Sequence, residues 1–211
     1  MVISRSPSAT QAIVGQLLFG NTPLTLMTQV KILGVEVDEQ MRFDQHLKKI
    51  AHLASLRVSA LRRVAKFLDA KGLLLLYKAQ IRPYLEYATL TWMSAASTYL
   101  QRLDAVERRA MRLVEGGDHP PTPLDSLEHR RDVASLVVLH KAQVQEVPHL
   151  DRLRIQPRVV NRSTRTVLSS DELVEVPRSH SSQHQRTYTS RVSRLYISFT
   201  AATTDVSAIS T

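Results

Sequence analysis

From Phe43 to Leu68 the apolar residues fall at Phe43, Leu47, Ile50, Ala54, Val58, Leu61, Ala65 and Leu68, in steps of three and four. That spacing puts them on one side of an α-helix and makes one continuous apolar stripe. A stripe of this length needs other helices to cover it, so the chain is expected to be mainly α. Lys48, Lys49, His52, Arg62, Arg63 and Lys66 fall largely off the stripe. The simplest account of them is a solvated helix face.

Residues 1–38 read differently. QLLF, a turn at Gly20-Asn21, then LTLM and VKILGVEV are short apolar runs bounded by Gly, Pro and Asn, which predicts β-structure with a hairpin. After the long stripe, Asp69 is placed to cap a second helix whose apolar start is Leu73 to Tyr77. Pro83 removes a backbone donor and predicts a kink or break near Ile81-Arg82. A third helix is expected from Ser97 to Val114, with Leu100, Leu103, Val106, Ala110 and Leu113 in step, ended by Gly116-Gly117. HPPTP then reads as a rigid connector. Thr122-Pro123-Leu124-Asp125 predicts the start of a fourth helix reaching Gln145. Its VASLVVLH segment is apolar all round and is expected to be buried. Beyond Leu153, Arg, Ser and Thr dominate. Residues 154–187 read as loop or disorder, with a short extended piece at Leu173–Val176, and a short helix is expected at Tyr188–Phe199. The organisation is a β-hairpin region (1–38), a helical bundle (39–117), a linker with a buried helix (118–153) and a largely irregular C-terminal region (154–211).

A formal net charge of +9 and a pI near 10.2 favour a polyanionic partner, most often nucleic acid. The chain has no cysteine, which excludes thiol catalysis and Cys-based zinc sites. No apolar run is long enough to predict a membrane span, and MVISRSPSAT lacks the apolar core of a signal peptide. An intracellular location is expected, in nucleus or cytoplasm. The adjacent pairs Asp38-Glu39 and Asp171-Glu172 point apart. His180 and His184 have metal-binding spacing but no third ligand. No phosphate-binding glycine loop or nucleophile elbow is present. These residues therefore predict no catalytic group, no metal and no cofactor. The cations are the stronger signal: Lys48, Lys49, Arg62, Arg63 and Lys66 on the first long helix, Lys78 and Arg82 on the second, and Arg102, Arg108, Arg109 and Arg112 on the third. A wall of basic helices can follow a phosphate backbone without reading its sequence. Tyr77, Tyr84, Tyr87 and Trp92 could stack on bases. Their spacing instead predicts packing, with Tyr77, Tyr87 and Trp92 inside.

The ordered set VKILGVEVD, RFDQHL, LYKAQIRPYLEYATLTW and LDAVERRAMRLVEG resembles the region after the polymerase centre of non-LTR (LINE-type) retrotransposon reverse transcriptases. LEHRRDVASLVVLHKAQ, RSTR at Arg162–Arg165 and TYTSRVSRLYISF extend the likeness across most of the chain. Ile32 and Phe43 stand where that family has an aromatic and a Trp, and Tyr196-Ile197 replaces a Trp-Asn. The resemblance implies that Ile32, Leu33, Gly34 and Val35 belong to a primer-grip hairpin. It also implies that Phe43 to Val114 form a thumb clamping a template–primer duplex or RNA. The family's catalytic aspartates have no counterpart here, so the expectation is a non-catalytic piece of an RNA-directed DNA polymerase, with Mg²⁺ needed only by the full polymerase. The alternatives are an independent basic α-helical interaction or nucleic-acid-binding protein, or a decayed element product without function. The oligomeric state is left open.

Overall fold

The computed structural model describes residues 1–4, 7–116, 124–156 and 174–202. The expected Thr122-Pro123 helix start, the HPPTP connector, Gly117, Arg162–Arg165, Asp171-Glu172, Leu173 and the last residues lie outside these. The described chain is mainly helical, with two short antiparallel hairpins. It divides into two compact units: Met1–Ala88 with Ala95–Pro123, and Thr89–Ser94 with Leu124–Thr211.

The first unit opens with a helix the sequence did not announce, α1 (Pro7–Ile13), so residues 1–38 are not all β. Strands β1 (Leu18–Phe19) and β2 (Thr22–Pro23) pair across the Gly20-Asn21 turn, and both are exposed along their length. The VKILGVEV run folds as a second hairpin, β3 (Gln29–Ile32) against β4 (Val35–Asp38). Its two turn residues, Leu33 and Gly34, both have positive φ (45° and 88°). That pairing of dihedrals matches the right-handed twist of the strands it joins.

Helix α2 (Asp44–Val64) carries the long stripe, and Leu47, Ile50, Ala54, Val58 and Leu61 are buried as the spacing predicts. The stripe stops there. A 3₁₀ turn (Ala65–Phe67) changes the period and leaves Leu68 exposed. Helix α3 (Ala70–Leu76) starts at Asp69, whose carboxylate accepts from the Gly72 N–H at 2.8 Å. Of the kink or break expected near Ile81-Arg82, the chain shows an interruption of the α-helical pattern without leaving the helical state. Tyr77–Ile81 form a π-turn in which the Arg82 N–H donates to the Tyr77 carbonyl five residues back, and the chain runs on as α4 (Arg82–Glu86). Widening the turn accommodates a proline where an α-turn would set its ring against a carbonyl. Helix α6 (Ser97–Glu115) follows the short α5 (Thr89–Trp92) and packs on α2, α3 and α4. Leu100, Leu103, Val106, Ala110 and Val114 fill the core, Val114 taking the place expected for Leu113.

In the second unit α5 packs on α7 (Leu127–Gln143). Helix α7 begins later than predicted: Ser126 is its cap, accepting from the His129 N–H, and Asp125 precedes it. It ends at Gln143 rather than Gln145. The VASLVVLH segment is only half buried. Ser135 and Leu139 face inward, while Val133 and Val137 are 42% and 46% exposed. The C-terminal region contributes more order than its composition suggests. After a 3₁₀ turn (Pro148–Leu153), Gln143 clasps the Ile155 backbone, donating to its carbonyl and accepting from its N–H, both at 2.9 Å. The Glu175 N–H donates to the Gln156 carbonyl at 2.9 Å. Ile155 and Val174 thereby join a core with Leu139, Val192 and Tyr196. A short α8 (Ser182–Gln185) leads to α9 (Tyr188–Ala202), longer than the expected Tyr188–Phe199. Arg191 of α9 binds Asp132 of α7 at 2.8 Å.

Candidate nucleic-acid interface

Between Asp44 and Asp69 the chain has no carboxylate and six Lys or Arg residues: Lys48, Lys49, Arg57, Arg62, Arg63 and Lys66. Two of these are committed within the unit. Lys49 pairs with Glu36 of β4. Arg57 lies 4.2 Å from the Tyr84 ring centroid and donates to the Tyr84 hydroxyl. Lys48, Arg62, Arg63 and Lys66 are exposed.

Helices α2 and α6 run in the same direction. Lys48, near the start of α2, sits over the ring of Tyr99, near the start of α6, at 5.5 Å. Further along both helices, Arg109 donates to the Ser55 hydroxyl at 2.9 Å. Lys48, His52, Ser55, Ser59 and Arg62 follow one another in steps of four and three on α2, and Lys66 follows in the 3₁₀ turn. Tyr99, Arg102, Arg109 and Arg112 lie along the adjoining side of α6. The Arg102 guanidinium also meets Tyr99, 5.3 Å from its ring centroid. The result is a linear basic edge about 20 Å long between Lys48 and Arg62, from the helical rise. Tyr99 and Ser55 were not singled out from the sequence. The Tyr99–Arg102 spacing of three is the signal that marks the first of them.

Lys78 and Arg82 have different surroundings. Lys78 is exposed on the π-turn, whereas Arg82 is half-buried and its Nε donates to both carboxylate oxygens of Glu86 at 2.9 Å. Arg108 is exposed on α6 beside Arg109. The hairpin residues Ile32, Leu33 and Gly34 are exposed and Val35 is buried, so the four do not share one environment.

The aromatics divide in the same way. Tyr77 is fully buried and its hydroxyl donates to Glu107 of α6 at 2.9 Å, inside the first unit. Trp92 is fully buried but belongs to the second unit, not to the bundle expected at 39–117. Tyr87, expected inside, is 53% exposed. Helix α4 ends at Glu86, so Tyr87 is in extended backbone and leaves the helical period. Its hydroxyl donates to the Leu33 carbonyl at 2.7 Å, and its ring lies where a Cβ on Gly34 would meet it at 3.5 Å. It therefore ties down the β3–β4 turn.

His46 fastens that hairpin from the other side. Its Nδ1 accepts from the Glu36 N–H at 3.2 Å. Burial lowers its pKa, with Glu36 opposing and Lys49 reinforcing that shift. No group of three or more His, Cys, Asp or Glu side chains among the described residues is arranged to hold a metal ion. No helix among them is long and apolar enough to cross a membrane. No protein-family model, curated protein or solved structure matches this chain.

Proposed function

We propose that this chain is a non-catalytic, thumb-like piece of a retrotransposon RNA-directed DNA polymerase that binds template–primer nucleic acid through the basic edge of α2 and α6. The observation that carries the reading is that edge: exposed cations in a line, with no carboxylate on α2 beyond Asp44. Phosphates recur at regular intervals along a strand, and a line of side-chain cations suits them better than a single charged pocket does. The ordered motifs from VKILGVEVD to LDAVERRAMRLVEG give the polymerase ancestry, and the absence of a Tyr/Phe-x-Asp-Asp loop in this sequence gives the lack of catalysis.

The test is a salt titration of binding to a primer–template duplex. Each phosphate contact contributes about one to the slope of log affinity against log salt. Arg62→Ala together with Arg112→Ala, both exposed, should lower that slope by about two and weaken binding equally for unrelated sequences. A parent protein that binds no duplex at low salt overturns the reading. So does a double variant whose slope equals the parent's.

A further inference from the structure

We infer that Phe67 is a base-stacking residue at the end of the basic edge, and that the nucleic acid held there presents an unpaired base. The inference rests on the nucleic-acid reading above and adds the class of nucleic acid to it.

Phe67 is 75% exposed. It ends the 3₁₀ turn that carries the chain off the α2 stripe, so its ring projects to solvent instead of continuing the core. The Lys66 ammonium lies 4.8 Å from the ring centroid, and one ammonium can cover only one face of a ring. Arg62 and Arg63 occupy the preceding turn and Lys71 the helix that follows. The nearest carboxylate in sequence, Asp69, caps α3 through the Gly72 N–H.

An isolated exposed aromatic is ordinary; one at the end of a line of cations has a chemical complement. A polyanionic strand following the edge from Lys48 to Arg62 arrives at Phe67 with its bases available. Stacking of a base on an aromatic ring tolerates any sequence, because every base has a π-face. Within a continuous duplex those faces are already stacked on one another, so only an unpaired or terminal base meets the ring. An anionic membrane would also accept cations around an aromatic. It would contact a plane, and these cations extend in a line along two helix axes.

The experiment titrates full-length protein into a labelled duplex carrying a single-stranded overhang, with a relaxed, covalently closed duplex circle as competitor. Anionic phosphatidylserine–phosphatidylcholine vesicles form a separate arm. Phe67→Ala and Phe67→Leu are expected to weaken overhang binding roughly 5- to 100-fold. Both should leave the circle's competition within about two-fold of the parent's affinity and the salt slope unchanged. Phe67→Trp should retain parent-like overhang binding. Equal loss for overhang and circle, or no loss for either, overturns the inference while leaving the basic edge intact. Parent-like overhang binding by Phe67→Leu assigns the effect to apolar contact and overturns stacking. Loss confined to vesicles makes the patch a membrane contact and overturns it as well. A parent that binds neither nucleic acid overturns the basic-edge reading and this inference together.

Discussion

His46 shows how one side chain can set a pH limit on the fold. It is 4% exposed, its Nδ1 accepts the Glu36 N–H, and its Nε2 is a buried nitrogen with no hydrogen-bond partner. Both features favour neutral imidazole, since a protonated ring has no lone pair to offer that N–H. The folded pKa is below 6.5, the ordinary imidazole value. The unfolded chain therefore takes up a proton first as pH falls. The contribution of His46 to stability is complete above pH 6.5 and declines below it, until the folded pKa is passed. Urea unfolding at pH 7 and pH 5 should show a loss for the parent that is smaller for His46→Asn, which can keep an acceptor near Nδ1 without titrating. An equal loss in both proteins would assign the pH dependence to other groups.

The passage from β4 into α2 depends on Asp38. Its carboxylate accepts from the N–H groups of Gln40 at 2.9 Å, Arg42 at 3.0 and 3.1 Å, and Phe43 at 2.7 Å. Met41 and Phe43 both have left-handed backbone, at φ 55° and 61°, a conformation that costs free energy in side chains of this size. Phe43 is nonetheless 2% exposed, so its burial and the Asp38 hydrogen bonds hold the strained turn together. Asp38→Ala is expected to destabilise the protein by about 1–3 kcal/mol, since three backbone donors lose a charged acceptor. Asp38→Asn should recover part of that, because an amide oxygen still accepts. Chemical denaturation of the two variants checks the order. In the sequence, Asp38 stands as half of an adjacent acidic pair without catalytic geometry and as the last residue of VKILGVEVD. Its role as a backbone acceptor needs the turn's path.

At the scale of the whole molecule, the division into two units separates residues that are close in sequence. The stretch Tyr77 to Trp92 is shared: Tyr77 to Ala88 belong to the first unit, Thr89 to Trp92 to the second. The second unit's core includes Leu139, Ile155, Val174, Val192 and Tyr196, drawn from segments far apart in the chain. Leu139→Ala removes a fully buried side chain from it and should cost about 2–5 kcal/mol. Hydrogen exchange followed by mass spectrometry should then show lost protection in α7 and α9, with α2 and α6 near parent values. Equal loss across all four helices would mean that the two units unfold as one.

Local periodicity determined most of the helical layout. The stripes of α2 and α6, the Asp69 cap and the Gly20-Asn21 turn follow from side-chain spacing and from backbone preferences that act over a few residues. The cations of the basic edge were equally legible, because a charged side chain off an apolar stripe is directed away from the core of its helix bundle. Tertiary structure decided what depends on partners distant in sequence. It committed Lys49 to Glu36, aligned Arg109 with Ser55, and placed Tyr87 against the β3–β4 turn. It put Val133 and Val137 outside and Ile155 and Val174 inside, against the composition of their segments. The physical reason is that burial depends on which surfaces meet. An apolar run is covered only where another element reaches it, and a sparse segment is ordered where one Gln143 side chain and a few apolar contacts hold it.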